Sequence, residues 1–243
     1  MKIWRCATIG KRILGFGMTG VSFKLIDSLG LLLVLVLLAG ALSGCSQLYP
    51  VDPETRLVFQ DDFSNPESGW HVQAGPAGSM GYQESLFWIQ VQAPQTNLVA
   101  SLPENYWFPV DVEVEVQARK AVGPNDNLFG VICRYQDDLN YYWFVISSDG
   151  YYGIGKVKEG RVMLINRDQM PPSEVIQQND SWNNLRATCI GSTLSFYVNG
   201  YLVDHQQDAD FAAGNIGLMA GSGATGQVIV TFDRLMVKEA EGR

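Results

Sequence analysis

Histidine and cysteine are scarce in this chain, and basic side chains are outnumbered by acidic ones. His71 and His205 are the two histidines among 243 residues. Neither stands in a Gly-x-Ser-x-Gly or comparable setting, so nothing points to a nucleophilic triad, and both read as surface residues in loops or at strand ends. Four cysteines are present, with no Cys-x-x-Cys pair and no Cys/His spacing, which removes a zinc site. Lys and Arg total 17 against 25 Asp and Glu. Five of the basic residues and one acidic residue, Asp27, fall in the first 44, so the remainder stands at −12 against −8 for the whole chain. An acidic domain with no basic cluster argues against nucleic acid, and against anionic lipid, as a partner.

What basic charge there is near the start has a pattern. Lys2, Arg5, Lys11, Arg12 and Lys24 precede an apolar run, Leu29–Leu42, which ends in Leu42-Ser43-Gly44-Cys45. A basic region, a short apolar stretch and small residues before a cut site make an export signal over 1–44. The run is short for a stable transmembrane helix. Leu-Ser-Gly-Cys resembles a bacterial lipobox. That resemblance implies lipidation of Cys45, which would become the new N-terminus and attach the protein to a membrane by its lipid alone, facing the extracellular or periplasmic side. The competing reading is a secretory signal with a chance cysteine. Residues 45–56 form a polar tether with Pro50 and Pro53, 57–238 the domain, and 239–243 a tail.

Two cysteines remain after Cys6 and Cys45. Cys133 and Cys189 each sit in a predicted strand on the side with apolar neighbours, and outside the cytoplasm such a pair can form a disulfide. Two buried free thiols are the alternative.

The domain reads as β throughout. Gly130–Asn166 predicts a four-stranded meander: Val131–Gln136, Tyr141–Ser148, Tyr151–Lys158 and Arg161–Asn166. These are joined by Asp137-Asp138-Leu139-Asn140, Asp149-Gly150 and Glu159-Gly160. Asp-Gly between aromatic-rich runs predicts a type I′ hairpin with both central residues at positive φ. Asn199-Gly200 predicts another between Leu194–Val198 and Tyr201–His205. Val110–Arg119 alternates most cleanly, with Val110, Val112, Val114, Val116 and Ala118 facing in. Leu57–Phe59, Glu84–Gln92, Asn97–Leu102, Asn183–Ile190, Ile216–Ala220, Val228–Phe232 and Leu235–Val237 are further strands. Asp168–Asp180 is a loop with room for one helical turn at Ser173–Gln177. A dozen short strands and no long helix predict an all-β, two-sheet antiparallel β-sandwich or jelly roll.

Particular residues sharpen this. Asp61-Asp62-Phe63-Ser64 with Gly69-Trp70, the meander, Trp182 with Leu185-Arg186 and Phe196-Tyr197-Val198-Asn199-Gly200, Gly214–Leu218 and Val230-Thr231-Phe232-Asp233 together resemble the concanavalin A-like lectin/glucanase jelly rolls. The likeness is greatest to the laminin-G-like and domain-of-unknown-function-1080 type modules of secreted bacterial proteins. It spans nearly all of Leu57–Val237. The resemblance implies the fold and leaves function open, since lectins, glycosidases and structural modules share it.

It also implies where to look for chemistry. Glycosidases of this fold carry a Glu-x-Asp-x-(x)-Glu strand. The nearest run here is Asp111-Val112-Glu113-Val114-Glu115, whose order differs and whose alternation also fits a solvated strand face, so no catalytic residue is assigned. Modules of this group often hold a structural calcium where first and last strands meet, and Asp61, Asp62 and Asp233 are the matching carboxylates. The competing reading is that Asp61 and Asp62 cap a turn. A carbohydrate or other extracellular polymer is the expected partner. Alternation places Tyr141, Trp143, Arg134 and Gln136 on one outward face, joined by Arg119, Arg186 and Tyr197 from other strands, and arginines with aromatics are what a glycan surface needs. Non-catalytic binding is the expectation. A glycoside hydrolase, and a structural or protein-interaction domain of the envelope, are the alternatives.

Overall fold

The computed structural model describes residues 56–103, 106 and 108–240. The expected leader, Cys45 and the tether up to residue 55 lie outside the described residues. Fifteen strands and no helix make up the described chain. They are β1 (Arg56–Asp61), β2 (Gln73–Gly75), β3 (Gly78–Gln83), β4 (Leu86–Val91), β5 (Asn97–Ser101), β6 (Val112–Val122), β7 (Asn127–Asp137) and β8 (Asn140–Ile146). Then come β9 (Tyr152–Lys158), β10 (Arg161–Leu164), β11 (Asn183–Ile190), β12 (Thr193–Val198), β13 (Tyr201–Gln207), β14 (Asn215–Ser222) and β15 (Val228–Glu239).

They form two antiparallel sheets. The nine-stranded sheet runs β13-β12-β11-β6-β15-β4-β3-β2, with β1 also paired to β15. The six-stranded sheet runs β10-β9-β8-β7-β14-β5, so the four-stranded meander is intact at one side of it. This is the two-sheet jelly-roll sandwich expected from the strand pattern.

The core lies between the sheets because each strand alternates. Val112, Val114, Val116 and Ala118 of β6 are buried, as are Leu185, Ala187 and Cys189 of β11 and Val230, Phe232, Leu235 and Val237 of β15. From the other sheet come Phe129, Val131, Tyr142 and Phe144. Phe144 and Phe196 meet edge-on at 5.8 Å across the interface. Each fully buried side chain of this kind contributes roughly 1.5–3 kcal/mol. Cys133 of β7 and Cys189 of β11 form the expected disulfide, which joins one sheet to the other.

Several local expectations change. Type I′ geometry holds at Glu159-Gly160 (φ 51°, 77°) and Asn199-Gly200 (φ 52°, 86°). At Asp149-Gly150 only the glycine has positive φ, because the connection is a longer turn in which Gly150 N–H donates to Ser147 O at 3.0 Å. Val110 is exposed and precedes its strand. Ser173–Gln177 forms turns without a helix. The β2–β3 hairpin is an addition, hidden in sequence by Gly75, Gly78 and Gly81, which weaken any strand pattern. The two runs expected at the end are one strand, β15, which passes through a bulge at Asp233–Met236 with Arg234 at φ 52°.

Candidate functional site

The residues expected on one surface divide between opposite sides of the sandwich. Arg119, Arg186 and Tyr197 lie on the outer face of the nine-stranded sheet, since their strand neighbours Ala118, Ala187 and Phe196 fill the core. Tyr141 and Trp143 point away from the core on the six-stranded sheet. They are not an open platform, however. Each is only 5% exposed, packed with Ile132, Val145, Val157 and Met219. The Trp143 ring packs against the glycines of β9: a Cβ at Gly155 would stand 2.0 Å from Trp143 Cζ2. Burial, and then the charge of Asp138, pushes the Tyr141 phenol up to about 12.

Arg134 is the largest departure. Counting by twos places it outward, but β7 bulges between Cys133 and Asp137, and Arg134 takes φ 53°. Its side chain turns under and is buried. One guanidinium nitrogen donates to Gly191 O at 2.8 Å and Phe211 O at 2.9 Å, while Asp111 lies 3.5 Å from another. Burial lowers its pKa, an effect that the charge of Asp111 partly offsets. It is a structural tie. Gln136, within the bulge, is exposed and donates to Ala213 O at 3.3 Å. With Tyr106, Phe108, Tyr135, Asp138 and Asn215 it lines a cleft of about 710 Å³, separate from the other residues expected to bind.

The three carboxylates assigned to calcium do not make a ligand set. Asp61 is buried, with one oxygen accepting Phe63 N–H at 2.8 Å and the other the Trp70 indole N–H at 2.9 Å. Asp62 is exposed and accepts from Ser64, whose hydroxyl and amide hold its pKa below the usual range. Asp233 pairs with Arg234 at 3.5 Å. Among the described residues no group of three or more His, Cys, Asp or Glu is placed to hold a metal ion. The turn-capping reading of Asp61 and Asp62 is the one the geometry shows.

The outer face of the nine-stranded sheet is what remains, and it is densely functionalised. Glu113 is mostly buried. It accepts from Arg186 at 2.9 Å on one oxygen and from Lys238 at 2.9 Å on the other. Glu115 accepts from Asn184 Nδ2 at 2.8 Å and lies 3.7 Å from Lys238. Burial pushes the Lys238 ammonium down, but its hydrogen bond to Glu113 and the charges of Glu113 and Glu115 outweigh this and raise its pKa. Arg186 also stacks on the Tyr197 ring, 3.8 Å from its centroid. Two rows further along β6, Arg119 lies 4.8 Å over the Trp182 ring. Arg119 is paired across the strands with Thr231, and Thr231 with Trp88.

Sequence reasoning found three members of this face and missed Trp88, Trp182, Asn184, Thr231 and Lys238. Phe87, Trp88 and Ile89 are all apolar, so alternation alone does not say which side of β4 Trp88 takes. Thr231 and Lys238 join the face because β15 enters the sheet between β6 and β4, and Trp182 and Asn184 because β11 pairs with the other edge of β6; no local pattern announces that order.

Residues 39–238 match the family described as the 3-keto-alpha-glucoside-1,2-lyase-like domain. The chain belongs to that family. It is a family of carbohydrate-binding or glycan-active domains, and as a member the chain carries its jelly-roll sandwich. Among solved structures the domain is similar to the catalytic domain of an endo-1,3-beta-glucanase (laminarinase) from Thermotoga petrophila RKU-1. The TM-score is 0.54 and the identity 8%, over 78% of this chain and 99% of that one. It is also similar to the Crh5 transglycosylase in its apo form (TM-score 0.53, 13% identity, 78% and 86% of the two chains). A Bacillus subtilis protein of unknown function with a galectin-like fold gives a TM-score of 0.51 at 11% identity over 77% and 98%. At these identities the likeness is one of fold. No curated protein sequence matches the chain.

Proposed function

We propose that this member of the 3-keto-alpha-glucoside-1,2-lyase-like family is an exported, lipid-anchored module that holds carbohydrate or another extracellular polymer on the outer face of its nine-stranded sheet without cleaving it. One observation carries the non-catalytic part. The carboxylates of the alternating run are all engaged, Asp111 by the Gly191 amide and Arg134, and Glu113 and Glu115 by Arg186, Lys238 and Asn184. A general acid or nucleophile needs a carboxylate free to exchange a proton or attack. Trp88, Trp182, Arg119 and Tyr197 supply the aromatic surface and hydrogen-bond donors that sugar recognition uses. Export is supported by the basic and apolar run ending at Cys45 and by the Cys133–Cys189 disulfide, a bond typical of oxidising compartments.

The test is a glycan array probed with the chain from Ser46 onward, with and without calcium, followed by titration of Arg186→Ala and Trp88→Ala against any hit. Binding that weakens in both variants supports the reading. A blank array in both conditions removes it. A second reading, turnover of a glycan, is favoured by the lyase-like description of the family. New reducing ends or unsaturated sugars released from a bound glycan, and lost in Glu113→Gln, would establish it in place of the first.

A further inference from the structure

We infer that the row Trp88–Thr231–Arg119–Trp182 is a subsite for an acidic sugar, a uronic acid residue of a polysaccharide. This rests on the reading of the face as glycan-binding and narrows it to a substrate class.

The row is fixed by register. Gly81 pairs with Trp88, Trp88 with Thr231, and Thr231 with Arg119, so all three side chains rise from the same face of adjacent strands. With strands about 4.8 Å apart, Trp88 and Arg119 are roughly 10 Å apart along the row, and Trp182 closes the far side beneath the guanidinium. The Trp88 indole lies against Gly81, where a Cβ would stand 3.9 Å from it and 3.5 Å from Val72 Cγ1.

Two polar atoms in this row are buried and have no hydrogen-bond partner: Thr231 Oγ1 and Arg119 Nε. Thr231 is 8% exposed, so its hydroxyl has little access to solvent. A third, Asn184 Oδ1, lies on the neighbouring row, where Gln117 pairs with both Asn184 and Asp233. Half of the buried unpartnered side-chain atoms among the described residues are thus gathered on one patch. Each such atom costs about 1–3 kcal/mol when left unpaired. Their concentration on one face fits groups awaiting a ligand better than scattered packing faults.

Charge selects the ligand. Arg186 and Lys238 are committed to Glu113, and Arg234 to Asp233. Arg119 has no ion pair with any described carboxylate. Among the described residues of this face, that leaves a planar cation without a carboxylate partner, with the geometry to take one by two parallel hydrogen bonds. Indoles on either side suit the apolar face of a flat ring. The nearby Glu113, Glu115 and Asp233 disfavour a densely charged polyanion. One carboxylate per ring, as in a uronic acid, meets both conditions.

The test uses the purified full chain in detergent. Binding of oligomers of galacturonate, glucuronate and mannuronate is measured by calorimetry beside their methyl esters, which keep the ring and remove the charge. At least one acid should bind about tenfold or more tighter than its ester, and the preference should shrink as salt rises. Arg119→Gln should abolish the preference and Arg119→Lys restore part of it, with thermal melts confirming that each is folded. Trp88→Ala should weaken acid and ester alike. Equal affinity for acid and ester in all three pairs overturns this inference, and if neutral glycans still bind the array the broader proposal survives. Loss of binding to every glycan overturns both.

Discussion

The guanidinium of Arg186 lies 3.8 Å above the ring of Tyr197, its cross-strand neighbour, while one of its nitrogens holds Glu113 at 2.9 Å. The stack and the ion pair each contribute on the order of 0.5–1 kcal/mol at a partly exposed site. Arg186→Lys keeps the charge but loses the planar stack. It should lower the melting temperature by a few degrees, and glycan binding should fall more in Arg186→Ala than in Arg186→Lys. Equal melting temperatures for Arg186→Lys and the parent would remove the stack as a stabilising element.

The disulfide gives the largest single stability prediction. Cys133 and Cys189 are separated by 56 residues. Closing such a loop in the unfolded chain is worth about 4 kcal/mol in the chain-entropy description. Cys133→Ala/Cys189→Ala, or full reduction, should lower the melting temperature by roughly 10 °C. A double variant that melts with the parent would show that the sheets hold without it.

Trp143→Ala and Arg134→Ala should act on the fold, not on a binding surface. Removing the buried indole from Gly153 and Gly155 should cost about 3–5 kcal/mol. Removing Arg134 leaves the carbonyls of Gly191 and Phe211 without their donor and should cost on the order of 3 kcal/mol. Denaturant titration measures both. Gly155→Ala, which drives a methyl into Trp143, should destabilise by about 1–3 kcal/mol.

Acid should weaken the tie between β9 and the segment after β13. Burial pushes the Asp208 carboxyl up, but hydrogen bonds from Lys156, Tyr142 and the Asp210 amide outweigh it and hold its pKa below the usual value. Hydrogen bonds from Lys156 and then Lys158 lower Asp210 in the same way. Carboxyls with depressed folded-state pKa values stabilise fully above the unfolded pKa, near 4, and lose that contribution as pH falls below it. Stability should therefore drop as pH falls below about 4, and the drop should be shallower in Asp210→Asn. Identical acid profiles for the two proteins would sink the assignment.

Much of the fold was legible because it is written in period two. Val112 to Ala118, the Glu159-Gly160 and Asn199-Gly200 turns, and the apolar settings of Cys133 and Cys189 each carry their structure locally. The candidate site was legible only in part. Arg119, Arg186 and Tyr197 obey simple alternation, and it places them correctly. Arg134 does not, because one bulge reverses every side chain counted through it. Trp143 points outward as expected and is nevertheless covered, which depends on glycines one strand away. The partnership of Thr231 with Arg119 depends on strand order, a property of the whole sheet.

Strand β1 has a mechanical consequence. Arg56 pairs with Glu239, so the described chain enters the fold alongside its own last strand, and β15 in turn borders β6 and β4. A pull on the chain ahead of Arg56, resisted by a polymer gripped at Trp88 and Arg119, would cross only these neighbouring ladders. The first bonds strained would be those between β1 and β15, beginning with the Arg56–Glu239 ion pair. The six-stranded sheet would lie outside the load path, leaving that half of the sandwich slack while the grip was under tension.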